Sequence, residues 1–180
     1  MAKEGLKPVL PIYSSFLQRG YDQLIHDIAL QNLPVVICVD RAGIVGSDGE
    51  THQGLFDLSF LSTIPNINIL APKDFEELEK MIEFAIELQK PVFIRYPRGG
   101  EGKIKFEKSK DIILGKAEII KQGQDLSIIA IGKMVSKAME VAQILNEKKI
   151  EAEVINARFL KPIDKETILK SVTKTKKVIT

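Results

Sequence analysis

The residue types most capable of chemistry are concentrated in one stretch, DRAGIVGSDGETHQG, which spans residues 40–54. It contains four glycines, four charged residues and one of the two histidines of the chain, and it follows the apolar run 34–39. Glycines let a backbone turn tightly or approach a ligand closely. Taken alone, Asp48 before a glycine is typical of a turn, and His52 is compatible with a loop histidine that has a local partner. The stretch is nevertheless the main candidate for a binding site.

A second polar stretch, RYPRGG at residues 95–100, follows the apolar residues 92–94. A lone arginine is usually a surface charge, but Arg41 and Arg98 each follow a different predicted strand. A guanidinium group binds phosphate oxygens through two parallel hydrogen bonds. The two arginines therefore predict a phosphate-binding pocket. Spacing alone leads no further than an α/β protein that binds a phosphate ester.

Both stretches lie among segments whose apolar periodicity alternates between strand and helix. The predicted strands are 8–13, 34–39, 67–70, 92–96, 117–121, 126–131, 154–156 and 178–180. We expect Ser14 and Ser15 to cap a helix with an apolar face of Phe16, Leu17, Tyr21, Leu24, Ile25 and Ile28. Asp74 and Glu77 predict a capping box for a helix that buries Phe75, Leu78, Met81, Ile82, Ala85 and Ile86. A third helix has the apolar face Val135, Ala138, Val141, Ala142 and Leu145, and Ile168–Val172 lies on a fourth.

Strands that alternate with helices predict a parallel α/β sheet on each side of a polar, lysine-rich linker at residues 101–111. In open α/β sheets, ligands bind beyond the carboxyl ends of the strands. Three such ends carry the candidate residues Tyr13, Phe16, Arg19, Arg41, Asp48, His52, Tyr96 and Arg98. Because the chain stops inside a new apolar strand, we expect it to be a fragment of a longer protein.

Composition excludes several classes of function. The net charge of +2 argues against a surface that binds nucleic acid, although charged residues make up 28% of the chain. The single cysteine, Cys38, excludes a disulfide framework and a cysteine-rich metal site. The other potential metal ligands are scattered, so we predict no metal site in the chain. Without a long apolar run or a signal-peptide pattern, we expect a soluble cytoplasmic protein that does not bind membranes.

Residues 4–61, from EGLKPVLPIYSSFLQRG through DRAGIVGSDGETHQG to LFDLSFL, resemble the pyrimidine-binding domain of the deoxyxylulose-5-phosphate synthases. The likeness continues in APKDFEEL, IRYPRGG and ARFLKPID and covers nearly the whole chain. Related transketolases have a similar D-G-x-T-H-Q element. The residues Asp40 to Gly43 before it match the synthase family.

The resemblance implies a thiamine-diphosphate enzyme with Mg²⁺ that condenses pyruvate with D-glyceraldehyde 3-phosphate, which yields 1-deoxy-D-xylulose 5-phosphate and carbon dioxide. In that family the product supplies isoprenoid, thiamine and pyridoxal biosynthesis. The resemblance also implies a parallel-sheet α/β pyrimidine-binding domain at residues 1–100 and an incomplete α/β transketolase C-terminal domain at residues 112–180. For the full-length protein it implies a homodimer.

The resemblance also assigns roles to the candidate residues. Phe16 matches the aromatic residue that stacks on the aminopyrimidine ring of the cofactor, and Arg19 lies beside it. Three residues match those that hold the phosphate of the acceptor: Tyr13, Arg41 and Arg98. Asp48 and His52 match polar residues near the reacting carbons, where a histidine can move protons or hydrogen-bond the oxygens of the acceptor.

Two features of the family are not found in this chain: the glutamate that activates the cofactor and the domain that binds its diphosphate. In the family, a glutamate of a G-I-A-E-Q-H-A stretch upstream of EGLKP activates the cofactor, and Glu4 aligns with the glutamate of EGLKP instead. The domain that binds diphosphate and magnesium is also absent, so we expect the isolated chain to be inactive.

Two alternatives to the synthase stay open. One is another enzyme of the transketolase superfamily, and the other is a non-catalytic α/β module for binding or assembly. Arg41 and Arg98 disfavour the β subunits of 2-oxoacid dehydrogenases, which do not grip a phosphorylated acceptor.

Overall fold

Nine strands form two sheets in the computed structural model, which describes residues 1–180. The strands are β1 Val9–Tyr13, β2 Val36–Asp40, β3 Asn68–Leu70, β4 Val92–Arg95, β5 Glu118–Lys121, β6 Leu126–Ala130, β7 Ala152–Asn156, β8 Phe159–Lys161 and β9 Val178–Ile179. The helices are α1 Ser14–Leu17, α2 Tyr21–Gln23, α3 Asp57–Thr63, α4 Phe75–Glu87, α5 Met134–Glu147 and α6 Lys165–Thr175. None of these helices combines the length and the apolar character needed to cross a bilayer.

The strand order is β1-β2-β4-β3-β8 in the first sheet and β5-β7-β6-β9 in the second. Strands β1 to β4 are parallel to one another, as are β7, β6 and β9. The edge strands β8 and β5 run antiparallel to β3 and β7. Parallel strands need a crossover connection of about a dozen residues or more. Only residues 122–125 join β5 to β6, so β5 runs opposite to β6 and therefore also opposite to β7, which lies between them. The predicted parallel α/β fold is thus confirmed for the centre of each sheet.

Strand β2 of the first sheet contributes side chains to the hydrophobic clusters on both faces of that sheet. Alternate side chains project to one face, where the helical segment 14–29 and α3 cover them: Val35, Ile37 and Val39. Val36 and Cys38 project to the opposite face, where α4 and Phe159 cover them. A strand that is buried on both faces is apolar throughout, which explains the unbroken run in the sequence. A third cluster packs the second sheet against α5.

The segment after β1 is helical, as predicted, but it is not one regular helix. A 3₁₀ turn at Gln18–Gly20 separates α1 from α2, and a π-helix follows at Leu24–Ala29. Ser14 does not cap the helix, because it is already the first helical residue and its fully buried Oγ has no hydrogen-bond partner. Of the predicted apolar face, Leu17 and Leu24 are buried, whereas Phe16 is 45% exposed.

The prediction that Phe75 is buried is wrong, because the side chain is exposed at the first position of α4. Val141, on the predicted apolar face of α5, is also exposed, and it lines an open apolar cavity together with Ile128 of β6 and Ile179 of β9. The sequence also fails to predict α3 and β8. Both elements are short, and a few residues do not establish a period.

The N-terminus of α4 forms only half of the predicted capping box. The Asp74 carboxylate accepts a hydrogen bond from the backbone N–H of Glu77 at 2.7 Å, as an N-cap residue should. The Glu77 carboxylate does not return to Asp74. It accepts from the backbone N–H of Lys73 at 2.7 Å and turns into the space between the two sheets.

A buried group of charged side chains joins the two sheets. Glu77 is fully buried and accepts hydrogen bonds from Arg158 Nε at 2.7 Å and from Asn156 Nδ2 at 3.0 Å. Arg158 donates a further bond to Glu118 at 2.8 Å, and Lys73 Nζ lies 3.4 Å from Glu77. Each buried charge therefore has a counter-charge and hydrogen bonds, which is the condition under which burial of charge is tolerated.

We expect Glu77→Gln to lower the free energy of unfolding by about 3–5 kcal/mol, because it leaves the buried Arg158 without its nearest counter-charge. Chemical denaturation measures the loss. The matched control is Glu79→Gln, the same change at an exposed position of the same helix. We expect it to lower the free energy of unfolding by about 0.5 kcal/mol or less. Equal losses in the two variants would contradict a special role for Glu77.

Candidate active site

Three strand ends meet at one edge of the first sheet. Strand β2 lies between β1 and β4, and Tyr13 at the end of β1 pairs in register with Asp40 at the end of β2. Val39 pairs with Arg95 at the end of β4. The three segments that leave these strands therefore begin side by side, as the strand-end argument predicts.

Two close backbone contacts shape the loop that follows β2. Gly43 and Gly54 exchange backbone hydrogen bonds of 2.7 and 2.9 Å, which close the loop at its base. A Cβ atom at residue 54 would lie 2.5 Å from the Arg41 carbonyl oxygen and 2.8 Å from the Ser14 side chain, so only glycine fits there. Inside the loop, the Gln53 amide bonds to the N–H and the carbonyl of Val45, at 2.7 and 2.8 Å.

Arg41 and Arg98, which follow different strands, converge on one carboxylate. Arg41 Nη1 donates to one oxygen of Asp48, and Arg98 Nη1 donates to the other. Arg98 Nη1 also lies 2.7 Å from Ser47 Oγ. Burial of the Asp48 carboxylate raises its pKa, but the hydrogen bond from Arg41 and the charges of both arginines outweigh this effect and hold the pKa below its ordinary value. The site thus holds two cations and one anion.

An aromatic cluster lies next to Arg41. The Arg41 guanidinium lies over the Tyr13 ring, 4.1 Å from its centre. The Tyr13 and Phe16 rings are stacked, with centres 5.4 Å apart and planes 13° from parallel. The His52 and Phe16 rings are nearly perpendicular, with centres 5.2 Å apart and planes at 77° to each other. Guanidinium, phenol, phenyl and imidazole groups therefore lie in one continuous row.

Six of the eight candidate residues at the strand ends come together in this arrangement, all except Arg19 and Tyr96: Tyr13, Phe16, Arg41, Asp48, His52 and Arg98. Arg19 lies on the exposed 3₁₀ turn 18–20 and is not joined to them. His52 and Asp48 do not form a hydrogen-bonded pair. His52 Nδ1 lies 2.8 Å from Thr51 Oγ1, whereas the Asp48 carboxylate bonds to the arginines.

Two further features lie beside the site. Arg95 Nε donates to the buried Asp57 carboxylate at 2.6 Å, which ties the end of β4 to the first turn of α3. Tyr96 lies near Cys38, and burial together with the nearby Cys38 and Asp40 raises the pKa of Tyr96 to about 12. The arginine of RYPRGG at position 95 was visible in the sequence, but its partner lies in a helix that the sequence does not predict.

The side chains of this site suit an aromatic ligand better than a metal ion. The Phe16 ring is 45% exposed beside His52, so a planar heterocycle can stack on it. No group of three or more His, Cys, Asp or Glu side chains is arranged to hold a metal ion. The site therefore fits the pyrimidine half of the implied cofactor.

Two domain families match consecutive parts of the chain. The family described as "Transketolase, pyrimidine binding domain" matches residues 1–101, which is more than half of the chain. The chain belongs to the transketolase family. The family "Transketolase, C-terminal domain" matches residues 115–180 of this transketolase-family chain.

Proteins named 1-deoxy-D-xylulose-5-phosphate synthase are similar to this transketolase-family chain over its full length. The protein from Halothermothrix orenii is 56% identical over 181 residues, which cover 100% of this chain and 28% of that protein. The protein from Natranaerobius thermophilus is 53% identical over 175 residues, or 97% of this chain and 28% of that protein. The chain thus spans 28% of the length of these relatives.

Solved transketolase structures share the fold. A structure described as a split gene transketolase, inactive β4 tetramer, has a TM-score of 0.90 and 30% identity, and the match covers 98% of this chain and 57% of that one. Transketolase from Pichia stipitis in complex with sedoheptulose-7-phosphate has a TM-score of 0.77 and 22% identity, over 93% of this chain and 25% of that one. The second similarity establishes the fold alone.

We expect Gly54→Ala to destabilise the chain by about 1–3 kcal/mol, because the added methyl group forces Arg41 and Ser14 apart. Gly46→Ala, in the same loop, is the control: a Cβ there meets no atom within 4 Å, and a change within about 0.5 kcal/mol is expected. Denaturant unfolding of both variants measures the difference. If Gly54→Ala unfolds like Gly46→Ala, the close approach does not constrain the loop.

Proposed function

We propose that this chain supplies the pyrimidine-binding and C-terminal regions of a 1-deoxy-D-xylulose-5-phosphate synthase. In the proposal, the whole protein is a cytoplasmic, homodimeric thiamine-diphosphate enzyme that condenses pyruvate with D-glyceraldehyde 3-phosphate. The convergence of two arginines and an aromatic row at adjacent strand ends carries the proposal. The 56% identity to a relative of that name supports the choice of reaction.

In this proposal, Arg41 and Arg98 hold the phosphate of glyceraldehyde phosphate. Two guanidinium groups that already meet on one carboxylate can also meet on one phosphate, since both anions accept paired hydrogen bonds from arginine. Tyr13 lies under Arg41 and limits where its guanidinium can go. The acceptor would thus be fixed at its phosphate end.

Phe16 and Arg19 are the proposed contacts to the cofactor. The exposed Phe16 ring offers a stacking surface for the aminopyrimidine, and Arg19 follows it by three residues on the same helical segment. Thiamine diphosphate supplies a carbanion for chemistry at carbonyl groups when it is bound. Its diphosphate and Mg²⁺ would be held by residues outside this chain.

His52 is the proposed proton-handling residue. Asp48, which the resemblance implies lies near the reacting carbons, bonds to Arg41 and Arg98 in the structure, so we assign it no share in proton transfer. The His52 and Phe16 rings are in contact, with centres 5.2 Å apart, so the imidazole is beside the ring on which the cofactor would stack. Histidine is suited to transferring protons near neutral pH. The contact with Phe16 is the main support for this role.

Another transketolase-superfamily reaction is the second candidate. The solved split-gene transketolase supports it through its TM-score of 0.90, but its 30% identity is well below the 56% identity to the named synthase. A purely non-catalytic module would not explain why the arginines and the aromatic row share one edge of the sheet. We therefore favour the synthase.

A chimera tests the proposal directly. This chain would replace the 181 residues that it matches in the Halothermothrix orenii protein, and the purified chimera would be supplied with thiamine diphosphate and Mg²⁺. We expect it to form deoxyxylulose phosphate from pyruvate and glyceraldehyde phosphate, whereas the isolated chain shows no turnover. A folded chimera that transfers two-carbon units between ketose and aldose phosphates, and makes no deoxyxylulose phosphate, would favour the second candidate.

In that chimera, we expect His52→Ala to lower the rate of carbon–carbon bond formation by ~10²–10⁴-fold, the usual effect of losing one acid–base group. Pyruvate consumption in the first half-reaction should change much less, because the proposed role belongs to the acceptor step. Rapid mixing measures the two half-reactions separately. The control is His26→Ala, which removes the other histidine, an exposed one paired with Asp22. Equal effects on both half-reactions, with a lowered melting temperature, would indicate a structural role.

A further inference from the structure

Both arginines of the proposed phosphate site already have an anionic partner within the chain. The Asp48 side chain is only 7% exposed, and its two oxygens accept hydrogen bonds from Arg41 and from Arg98. These two guanidinium groups and one carboxylate carry one net positive charge, and the Asp40 carboxylate, which accepts a hydrogen bond from the Arg41 backbone N–H, adds a negative charge nearby. A ligand that binds to the arginines must therefore displace Asp48 or share the arginines with it.

A carboxylate and a phosphate would compete differently with Asp48. A free carboxylate offers the same charge and the same two oxygens as Asp48, and it also loses translational freedom on binding. A phosphate monoester carries about −1.5 to −2 charges near neutral pH and three acceptor oxygens. Because Asp48 is tethered beside the arginines, its effective concentration is high. Displacing it therefore requires the stronger anion.

The local backbone is suited to such an exchange. Asp48 ends the short 3₁₀ turn Gly46–Asp48, and Gly49 follows it with a φ angle of 75°. Glycines at both sides of the Ser47–Asp48 pair permit backbone rotation. The arginines are unequally accessible, since the Arg98 side chain is 46% exposed and the Arg41 side chain 25%. An incoming anion thus meets Arg98 first.

We propose that Asp48 is an internal counter-ion of Arg41 and Arg98 that sets an affinity threshold at the site: a phosphate binds the arginines strongly enough to displace it, and a carboxylate does not. The inference rests on the proposed function of the two arginines. In the proposed reaction, one substrate is a carboxylate and the other is a phosphate ester. Asp48 keeps the carboxylate substrate out of the phosphate site, and the phosphate that binds there releases the Asp48 carboxylate.

Titration of the 180-residue chain with two probes tests this role. Glycerol phosphate represents the phosphate ester and acetate the carboxylate, and calorimetry at constant pH and low salt measures the dissociation constants. Asp48→Asn is expected to bind each probe about tenfold or more tightly, the equivalent of one charge-assisted hydrogen bond that no longer has to be broken. We expect acetate binding to be undetectable in the unmodified chain and to become measurable in Asp48→Asn.

Glu50→Gln is the matched control, because it removes the same charge from an exposed position of the same loop. It should change either dissociation constant much less than Asp48→Asn does. Circular dichroism and a thermal melt verify that each variant is folded, and Asp48→Ser replaces Asp48→Asn if the amide does not fold.

Two results would overturn the inference, and they have different meanings. If Asp48→Asn binds glycerol phosphate no more tightly than the unmodified chain, Asp48 orients the arginines rather than competing with the ligand. If Arg98→Ala binds glycerol phosphate as well as the unmodified chain does, the arginines are not the phosphate site, and the proposed function fails together with the inference. The first result alone leaves the proposed function standing.

Discussion

The parallel register of β1, β2 and β4 is the constraint on which the site depends. Parallel pairing brings Tyr13 beside Asp40 and Val39 beside Arg95, although these residues lie far apart in the sequence. A shift of β2 by one residue would exchange the side chains that pack under the helical segment 14–29 with those that pack under α4, and both cores would have to repack. The apolar side chains on both faces of β2 thus fix where the arginine loop begins. The core and the site are consequences of the same hydrogen-bond pattern.

Helix α4 connects this site to the second sheet. Its first backbone N–H, at Phe75, donates to the Glu101 carboxylate at 2.8 Å, so the segment that carries Arg98 is attached to the start of the helix. One turn further, Glu77 bonds to Arg158 in the buried charged group between the sheets. Because buried ion pairs tolerate little displacement of either partner, the second sheet and the Arg98 segment are held by the same helix.

Local patterns in the sequence were sufficient to predict the fold class and most of the candidate site. Long apolar runs identified β2 and β6, and the strand-end argument brought Arg41 and Arg98 to one place. What could not be predicted depends on contacts between distant segments. The exposure of Phe16 follows from which side of its helix meets the sheet, and the partner of Asp48 lies fifty residues away, at Arg98. Short elements such as α3 and β8 have too few residues to show a period.

Strand β8 means that the linear halves of the chain are not independent folding units. It comes from the second half, yet it completes the first sheet beside β3, and Phe159 fills the core under α4. Lys161 at its end donates to the carbonyl of Ser62 at 3.1 Å, at the end of α3. A recombination crossover between two relatives at residues 101–111 would therefore pair one parent's core with the other parent's edge strand. Gene shuffling in this family should take residues 157–161 from the same parent as the first sheet, although the linker at residues 101–111 separates them in the sequence.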